Sequence, residues 1–497
     1  MPEIHYLGID FGSCSTALMG VSIGQNDTPT FHPLGKSEDN YCFDTVLFCK
    51  PDGTALIGAA ARAYRGEGQF YHSPKETILN SEKDNEGKQV IFLYLSKIFD
   101  ELDASYTFTD LRGVCFGHPN YHQAETTADY NDTMVQALTE LFYTRYKVRP
   151  IITPATEPIL AAIAYVQHNP DYNSKNEKKP FIVVDCGGHT IDFSFTAVNT
   201  EAKCGGDIPL LAPSTPFSFS GDECPAVGMF ITEVICHRIS EVEGIHPAFT
   251  YDDTVEAAKR EFFSSFIAKA ESYTSDSAHE VHLRHSDKTP FKRDYTIKFR
   301  YGKKDDQEST ISLLDIFWIN AAFAFIGSLI QKYIEFWCKK PEHIPSRILF
   351  VGGASRMTPL QAEIQTAIKN SLTALLEDFA LEKEAHEALA LQIKQIPADC
   401  IRTDAPACTG RPALTHENAV AYGAAFTAWH RHLYDEKAEI TVSHDRELAN
   451  LQSVEGNTIS YKRRLIGLRQ RLMDVTDYDS IGAIIAELRT LLEMLKK

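Results

Sequence analysis

Gly8-Ile-Asp-Phe-Gly-Ser-Cys-Ser15 and Val184-Asp-Cys-Gly-Gly-His-Thr-Ile-Asp192 decide how this chain is read. Each follows an apolar run, Ile4 to Ile9 or Phe181 to Val184, that reads as a buried strand. Each then turns through Asp-x-Gly into small hydroxyl residues. Glycine lets the backbone approach an anion closely, with free N–H groups aimed at it. The carboxylate suits a hydrated magnesium ion. One Asp-x-Gly turn is commonplace, but two copies 175 positions apart predict two similar half-domains facing one nucleotide.

Outward from these hairpins the chain alternates strands and helices, the pattern of an α/β protein. Residues 4–24 read as strand, tight loop and strand. Thr45-Val-Leu-Phe48 and Ala55-Leu-Ile-Gly58 lead into an Ala-rich helix, Ala59 to Ala63. Leu111 to Gly117 is a further strand, closed by Gly117-His-Pro119, and Thr126 to Tyr146 has helical apolar spacing. After a short strand, Arg149-Pro-Ile-Ile152, a helix opens at Glu157, with Pro158 in its first turn, where a missing N–H costs least. Beyond a polar loop at 169–179, strands fill 181–222 and helices roughly 224–276. Strand-like runs cover 281–283 and 295–301. A helix at 311–337 leads to a strand, Arg347 to Val351, and a glycine turn. Residues 360–395 read as helical, 397–412 as a Pro/Cys/Thr loop, and His416 to His432 as a small-residue helix. Ala162-Ile-Ala-Tyr165 and Ala419-Val-Ala-Tyr422 echo one another, and alanines at helical spacing let two helices pack closely.

Composition bounds the function. A chain of 497 residues exceeds one compact domain, and 43% apolar with 23% charged residues is ordinary for a soluble globular protein. A net charge of −18 argues against non-specific binding to nucleic acid or to an anionic membrane. Any phosphate must then be held by local N–H groups and a metal ion. Eleven scattered cysteines without a CxxC pair read as reduced, structural thiols and a cytoplasmic location. Met-Pro-Glu at the start lacks the pattern of a signal peptide. The uncharged core of the 311–337 helix, Ile316 to Gln331, has 16 residues, short of the ~20 needed to span a bilayer. It is expected to lie buried between layers.

Five elements in this order resemble the ATPase domain of the heat shock protein 70 chaperones, within the actin and sugar-kinase superfamily. Gly8 to Ser15 is similar to the family's first phosphate loop and Val184 to Asp192 to its second. Glu157 to Tyr165 resembles the first connecting helix, Val351-Gly-Gly-Ala-Ser-Arg356 the adenosine motif, and Glu417 to Ala425 the second connecting helix. The resemblance implies a duplicated actin-like (ribonuclease-H-like) ATPase fold of two lobes with two subdomains each. The expected first lobe is 1–168 (upper part about 39–114), the second 180–430 (upper part about 224–310), and 431–497 a helical tail. It implies ATP or ADP with Mg2+ as cofactors. Asp10 and Asp185 would hold the metal through water, with Glu157 near the attacking water or the metal shell. Gly12, Ser13, Cys14, Ser15, Gly187, Gly188, His189 and Thr190 would surround the phosphates, and Asp192 would order the second loop. Gly352, Gly353, Ala354 and Arg356 would frame adenosine, opposite Glu256, Lys259 and Arg260. Lys75 is the candidate for the family's lysine near the γ-phosphate, where it works as a point charge.

Two departures qualify the resemblance. His189 stands where the family usually has a third glycine, which narrows the backbone angles and adds an imidazole beside the phosphates. The chain also continues past Ala425 for only about 65 residues beyond the Trp429-His-Arg-His-Leu stretch, too few for a β-rich peptide-binding domain. Ile481, Ile484, Ile485, Leu488, Leu491, Leu492 and Leu495 mark one helix face in that tail. The tail reads either as a hairpin docked on its own ATPase domain or, with the 360–412 segment, as a surface for a protein partner. The expected function is an ATP-hydrolysing conformational switch, with a filament-forming ATPase, a small-molecule kinase and a binding-only scaffold as alternatives.

Overall fold

The computed structural model describes residues 1–24, 28–35, 42–64, 66–80, 84–119, 124–168, 180–188, 190–198, 210–211, 217–220, 295–299, 307–311, 313–400, 412–415, 418–431, 467–468, 484 and 487–488. The protein is mixed α/β and is organised around two sheets of the same plan. The first runs in the order Pro29–Pro33, Ser15–Ile23, Tyr6–Phe11, Gly113–His118, Ile151–Thr156. Each of its first three strands is antiparallel to the next, and Gly113–His118 and Ile151–Thr156 lie parallel to Tyr6–Phe11. The second sheet repeats order and directions with Leu210–Leu211, Thr190–Val198, Phe181–Cys186, Ile348–Val351 and Ala398–Cys400. Even the side strands correspond: Cys42–Asp44 pairs with the start of Ser15–Ile23 as Phe217–Ser220 pairs with the start of Thr190–Val198.

Alternation along each leading strand divides its residues between two cores. Leu7, Ile9 and Phe11 face outward and pack with helices Asp84–Leu102 and Ala124–Tyr146. Ile182, Val184 and Cys186 do the same with helices Leu313–Trp337 and Thr358–Leu376. The inward residues Tyr6, Phe181 and Val183 share a third core with helix Glu157–His168 and a second inner helix spanning 419–431. The layers therefore run helices, sheet, helices, sheet, helices.

The two inner helices cross in backbone contact. A Cβ on Gly423 would overlap the Leu160 backbone, and one on Gly8 would overlap Ala421 and Ala425. Small residues allow this, as the Ala-rich echo anticipated. Each helix also reaches the other half of the molecule. Glu157–His168 contacts both leading strands of the second sheet, with the Tyr165 ring 6.3 Å from Phe181. The 419–431 helix packs on the first sheet, where Tyr422 stacks on Phe31 at 4.6 Å.

Several expectations change. Helix Leu313–Trp337 is one-sided, with Phe323, Ile326, Ile330 and Ile334 buried and Phe325, Ser328 and Gln331 exposed. It covers the second sheet from outside and is not enclosed between layers. The stretch read as a loop at 397–412 contains the edge strand Ala398–Cys400, whose three residues pair with Ile348–Val351. Helix Thr358–Leu376 buries Leu360, Ile364, Ile368 and Leu372 against Leu313–Trp337, so it belongs to the core of the second half. Helix Asp84–Leu102 was not anticipated. In the tail, Leu468, Ile484 and Leu488 are buried in the central core beside the crossing helices, and the rest of the expected hairpin lies outside the described residues. No disulfide links the described cysteines, and no helix of the described residues is long and apolar enough to cross a membrane.

Candidate functional site

The two Asp-x-Gly hairpins are built alike down to the pairing register. Asp10 pairs with Ala17 and Phe11 with Thr16; Asp185 pairs with Asp192 and Cys186 with Ile191. Each turn closes with the same hydrogen bond: Gly12 N–H donates to Ser15 O at 3.1 Å, and Gly187 N–H donates to Thr190 O at 2.9 Å. Both leading strands bring their carboxylate to the end of the inner face, so the turns meet across the middle of the molecule. A Cβ on Gly188 would collide with the Cys14 Sγ. Ser13 and Cys14 thus stand opposite Gly187 and Gly188.

Each loop is tied down by hydroxyls. Thr45 N–H donates to Cys14 O at 3.0 Å, the Thr16 and Thr45 hydroxyls are 2.9 Å apart, and the Tyr94 hydroxyl donates to Thr16 at 3.1 Å. In the second loop the Thr190 hydroxyl donates to Asp192 Oδ2 at 2.8 Å. Asp192 is 1% exposed, so it orders the loop from beneath.

Lys75, from helix Pro74–Asn80, is buried and its Nζ lies 2.7 Å from Glu157 Oε1 at the start of Glu157–His168. Two parts of the chain 82 residues apart therefore supply one enclosed ion pair. Around it the charge is lopsided, because Asp10, Asp185 and Asp192 are also near. The Asp10 carboxyl is pushed up to about 8, first by burial and then by Glu157, against the opposing pull of Lys75. Asp185 is held well above the usual carboxylate range by burial, then by Glu157, Asp192 and Asp10. Carboxylates crowded in this way favour a bound cation. Among the described residues no group of three or more His, Cys, Asp or Glu is arranged to ligate a metal directly.

The glycine turn after Ile348–Val351 folds over the second carboxylate. Gly352 has φ +82°, and a Cβ there would overlap Asp185 Oδ1 and the Cys186 carbonyl, so glycine is required twice over. The Ser355 hydroxyl donates to Gly352 O at 2.7 Å and fixes the turn. Gly353 is exposed to open space. Ala354 is buried in the second outer core and supports the turn from behind. Arg356 closes the short helix Gly353–Arg356.

The fold thus gathers Asp10, the Gly12 to Ser15 turn, Lys75, Glu157, Asp185, Gly187, Gly188, Thr190, Asp192 and Gly352. His189, Glu256, Lys259 and Arg260 lie outside the described residues. Two neighbours of the ion pair were missed. Tyr130, on Ala124–Tyr146, places its ring 6.0 Å from Lys75 Nζ. His118, buried at the end of Gly113–His118, lies within electrostatic reach of Glu157 and Lys75. Tyr130 fits an ordinary apolar helix face, so nothing marked it. His118 had a signal, a polar residue ending a parallel strand beside Tyr6–Phe11, where α/β sheets place ligands. The chain matches no protein-family model and no curated protein.

Proposed function

We propose that this chain is a magnesium-dependent ATP-binding and hydrolysing switch, built as two actin-like lobes and resembling the ATPase domain of heat shock protein 70 chaperones. The observation that carries this reading is the pair of register-matched hairpins meeting at Cys14 and Gly188, each with an aspartate at its turn, Asp185 buried and Asp10 half-buried. The repeated strand order of the two sheets supports it.

Asp10 and Asp185 are oxygen donors on facing turns and suit a hard cation that keeps several of its waters. Bound magnesium would neutralise charge on the β- and γ-phosphates. The backbone N–H groups of Ser13 to Ser15 and of Gly188 to Thr190 would bind phosphate oxygens, and the Gly352–Gly353 turn would carry the nucleoside. Lys75, oriented by Glu157, supplies fixed positive charge beside the acids. Phosphoryl transfer demands positioning and charge neutralisation more than covalent chemistry. Closure of the halves on the nucleotide, about the crossing helices, is the output of the switch.

Calorimetry with ATP and ADP, and phosphate release with and without magnesium, test this. Nucleotide binding with slow, magnesium-dependent hydrolysis is expected, and Asp10→Asn and Asp185→Asn should each lower turnover at least ~100-fold. A chain that neither binds nor hydrolyses ATP overturns the assignment, as do variants that turn over at the wild-type rate.

A further inference from the structure

His118 lies at the ion pair by construction. Its register partner is Thr156, the residue preceding Glu157. A Cβ on the adjoining Gly117, which faces the other side of the strand, would meet Glu157 Cγ at 3.0 Å, so the strand end passes beside Glu157. The His118 Nδ1 is 2.9 Å from the Pro119 carbonyl oxygen. A carbonyl only accepts, so Nδ1 carries the proton and, in the neutral ring, Nε2 keeps a free lone pair. Burial is the main influence on the ring and lowers its pKa, which keeps it neutral.

Polar atoms lacking a protein partner lie on the segments that supply or flank the ion pair. Ser73 Oγ, Thr127 Oγ1, Asn131 Oδ1 and Thr156 Oγ1 are all buried without a hydrogen-bond partner. Ser73 is 6% exposed and lies two residues before Lys75. Asn131 follows Tyr130, and Thr127 is one turn earlier on that helix. Four such atoms, contributed by three segments that converge on one ion pair, need water to satisfy them.

We propose that His118 is a positioning residue for hydrolysis: its Nε2 lone pair, with the Ser73 and Thr156 hydroxyls, holds and orients buried water beside the Lys75–Glu157 pair. The proposal rests on the ATPase reading and deepens it. The Nδ1–H is committed to donating to the Pro119 carbonyl, so the ring cannot donate toward this water and acts only as its acceptor. Oriented water next to a fixed ammonium is the supply from which the attacking molecule is drawn.

Three substitutions separate this role from packing. Glutamine sets an amide oxygen near the place of Nε2, asparagine is too short and matches only Nδ1, and valine supplies neither. His118→Val and His118→Asn should lower single-turnover hydrolysis at least ~10-fold. His118→Gln should stay within about threefold of wild type, with ADP affinity and Tm unchanged in all three. Histidine-selective 15N NMR of the nucleotide-free chain should find the His118 proton on Nδ1 at neutral pH. Hydrolysis in His118→Val at the wild-type rate overturns the proposal alone, as does a proton on Nε2. Absence of hydrolysis in the wild type overturns the ATPase reading and this proposal together, and the NMR result keeps the two failures apart.

Discussion

Lys75 is the residue on which the site's electrostatics turn, because it is the cation among Glu157, Asp10 and Asp185. Removing it leaves three crowded acids, whereas removing Glu157 relieves them. Lys75→Met should therefore cost roughly 3–5 kcal/mol in urea unfolding, and Glu157→Gln clearly less. Equal costs would show that the crowding is unimportant. The Asp10 carboxyl has the opposite character. Its folded pKa of about 8 lies above the unfolded value of 3.8, so the folded state binds the extra proton between these values. The associated stability is fully present below about pH 4 and is lost as pH rises toward 8. Asparagine has no such proton, so the stability of Asp10→Asn relative to wild type should grow by a few kcal/mol from pH 5 to pH 8. A difference that does not change with pH would count against an enclosed carboxyl. Asp10 and Asp185 stood out in the sequence because each follows an apolar strand and precedes glycine and hydroxyl residues, whereas Lys75 was reached only through the resemblance. His118 and Tyr130 were not, since their importance comes from Lys75, which is remote in the chain and adjacent only after folding.

The decisive elements are the two inner helices, and both depend on having almost no side chain where they touch. Gly423→Ala should lose at least about 3 kcal/mol or fail to fold, because Leu160 backbone occupies the space. Gly327→Ala is the contrasting case. Its Cβ would find Ala367 Cβ at 3.3 Å and Glu363 Oε1 at 3.5 Å, inside a helix that favours alanine, so a change within about 1 kcal/mol is expected. The 419–431 helix also carries an acid-sensitive group. His430 is 1% exposed and stacks at 5.7 Å on Phe426, and burial pushes its pKa down to about 3. Its contribution is intact above the unfolded pKa of 6.5 and is lost as pH falls toward 3. His430→Phe should therefore gain about 3 kcal/mol over wild type at pH 4 relative to pH 7, measured by chemical denaturation. Most elements were visible as periodicity, and the exceptions have physical causes. Ala398–Cys400 is three residues whose strand state is set by pairing with Ile348–Val351, which local sequence does not encode. Helix Asp84–Leu102 did carry its signal, Val90, Ile91, Tyr94, Leu95, Ile98, Phe99 and Leu102 at helical spacing, behind a polar start.

At the scale of the molecule, the prediction concerns both hairpins at once. Hydrogen exchange with magnesium and ATP should slow in 6–23 and in 181–198 together. Protection confined to one hairpin would mean that the two turns do not share a ligand. The likeness of the halves was readable from the repeated motif. The exchange of inner helices was not, because it is a matter of which sheet a helix chooses to cover. That exchange has a consequence for how the protein is made. The ribosome releases the complete strand set of the first sheet well before residues 419–431 exist, and until they arrive Gly8 and Phe31 face water. Helix Glu157–His168, for its part, waits for Phe181–Cys186 to cover it. Neither half can finish alone: fragments severed between them should remain incomplete separately and recover order when mixed. A nascent chain would stay a client of folding helpers until its last third emerged.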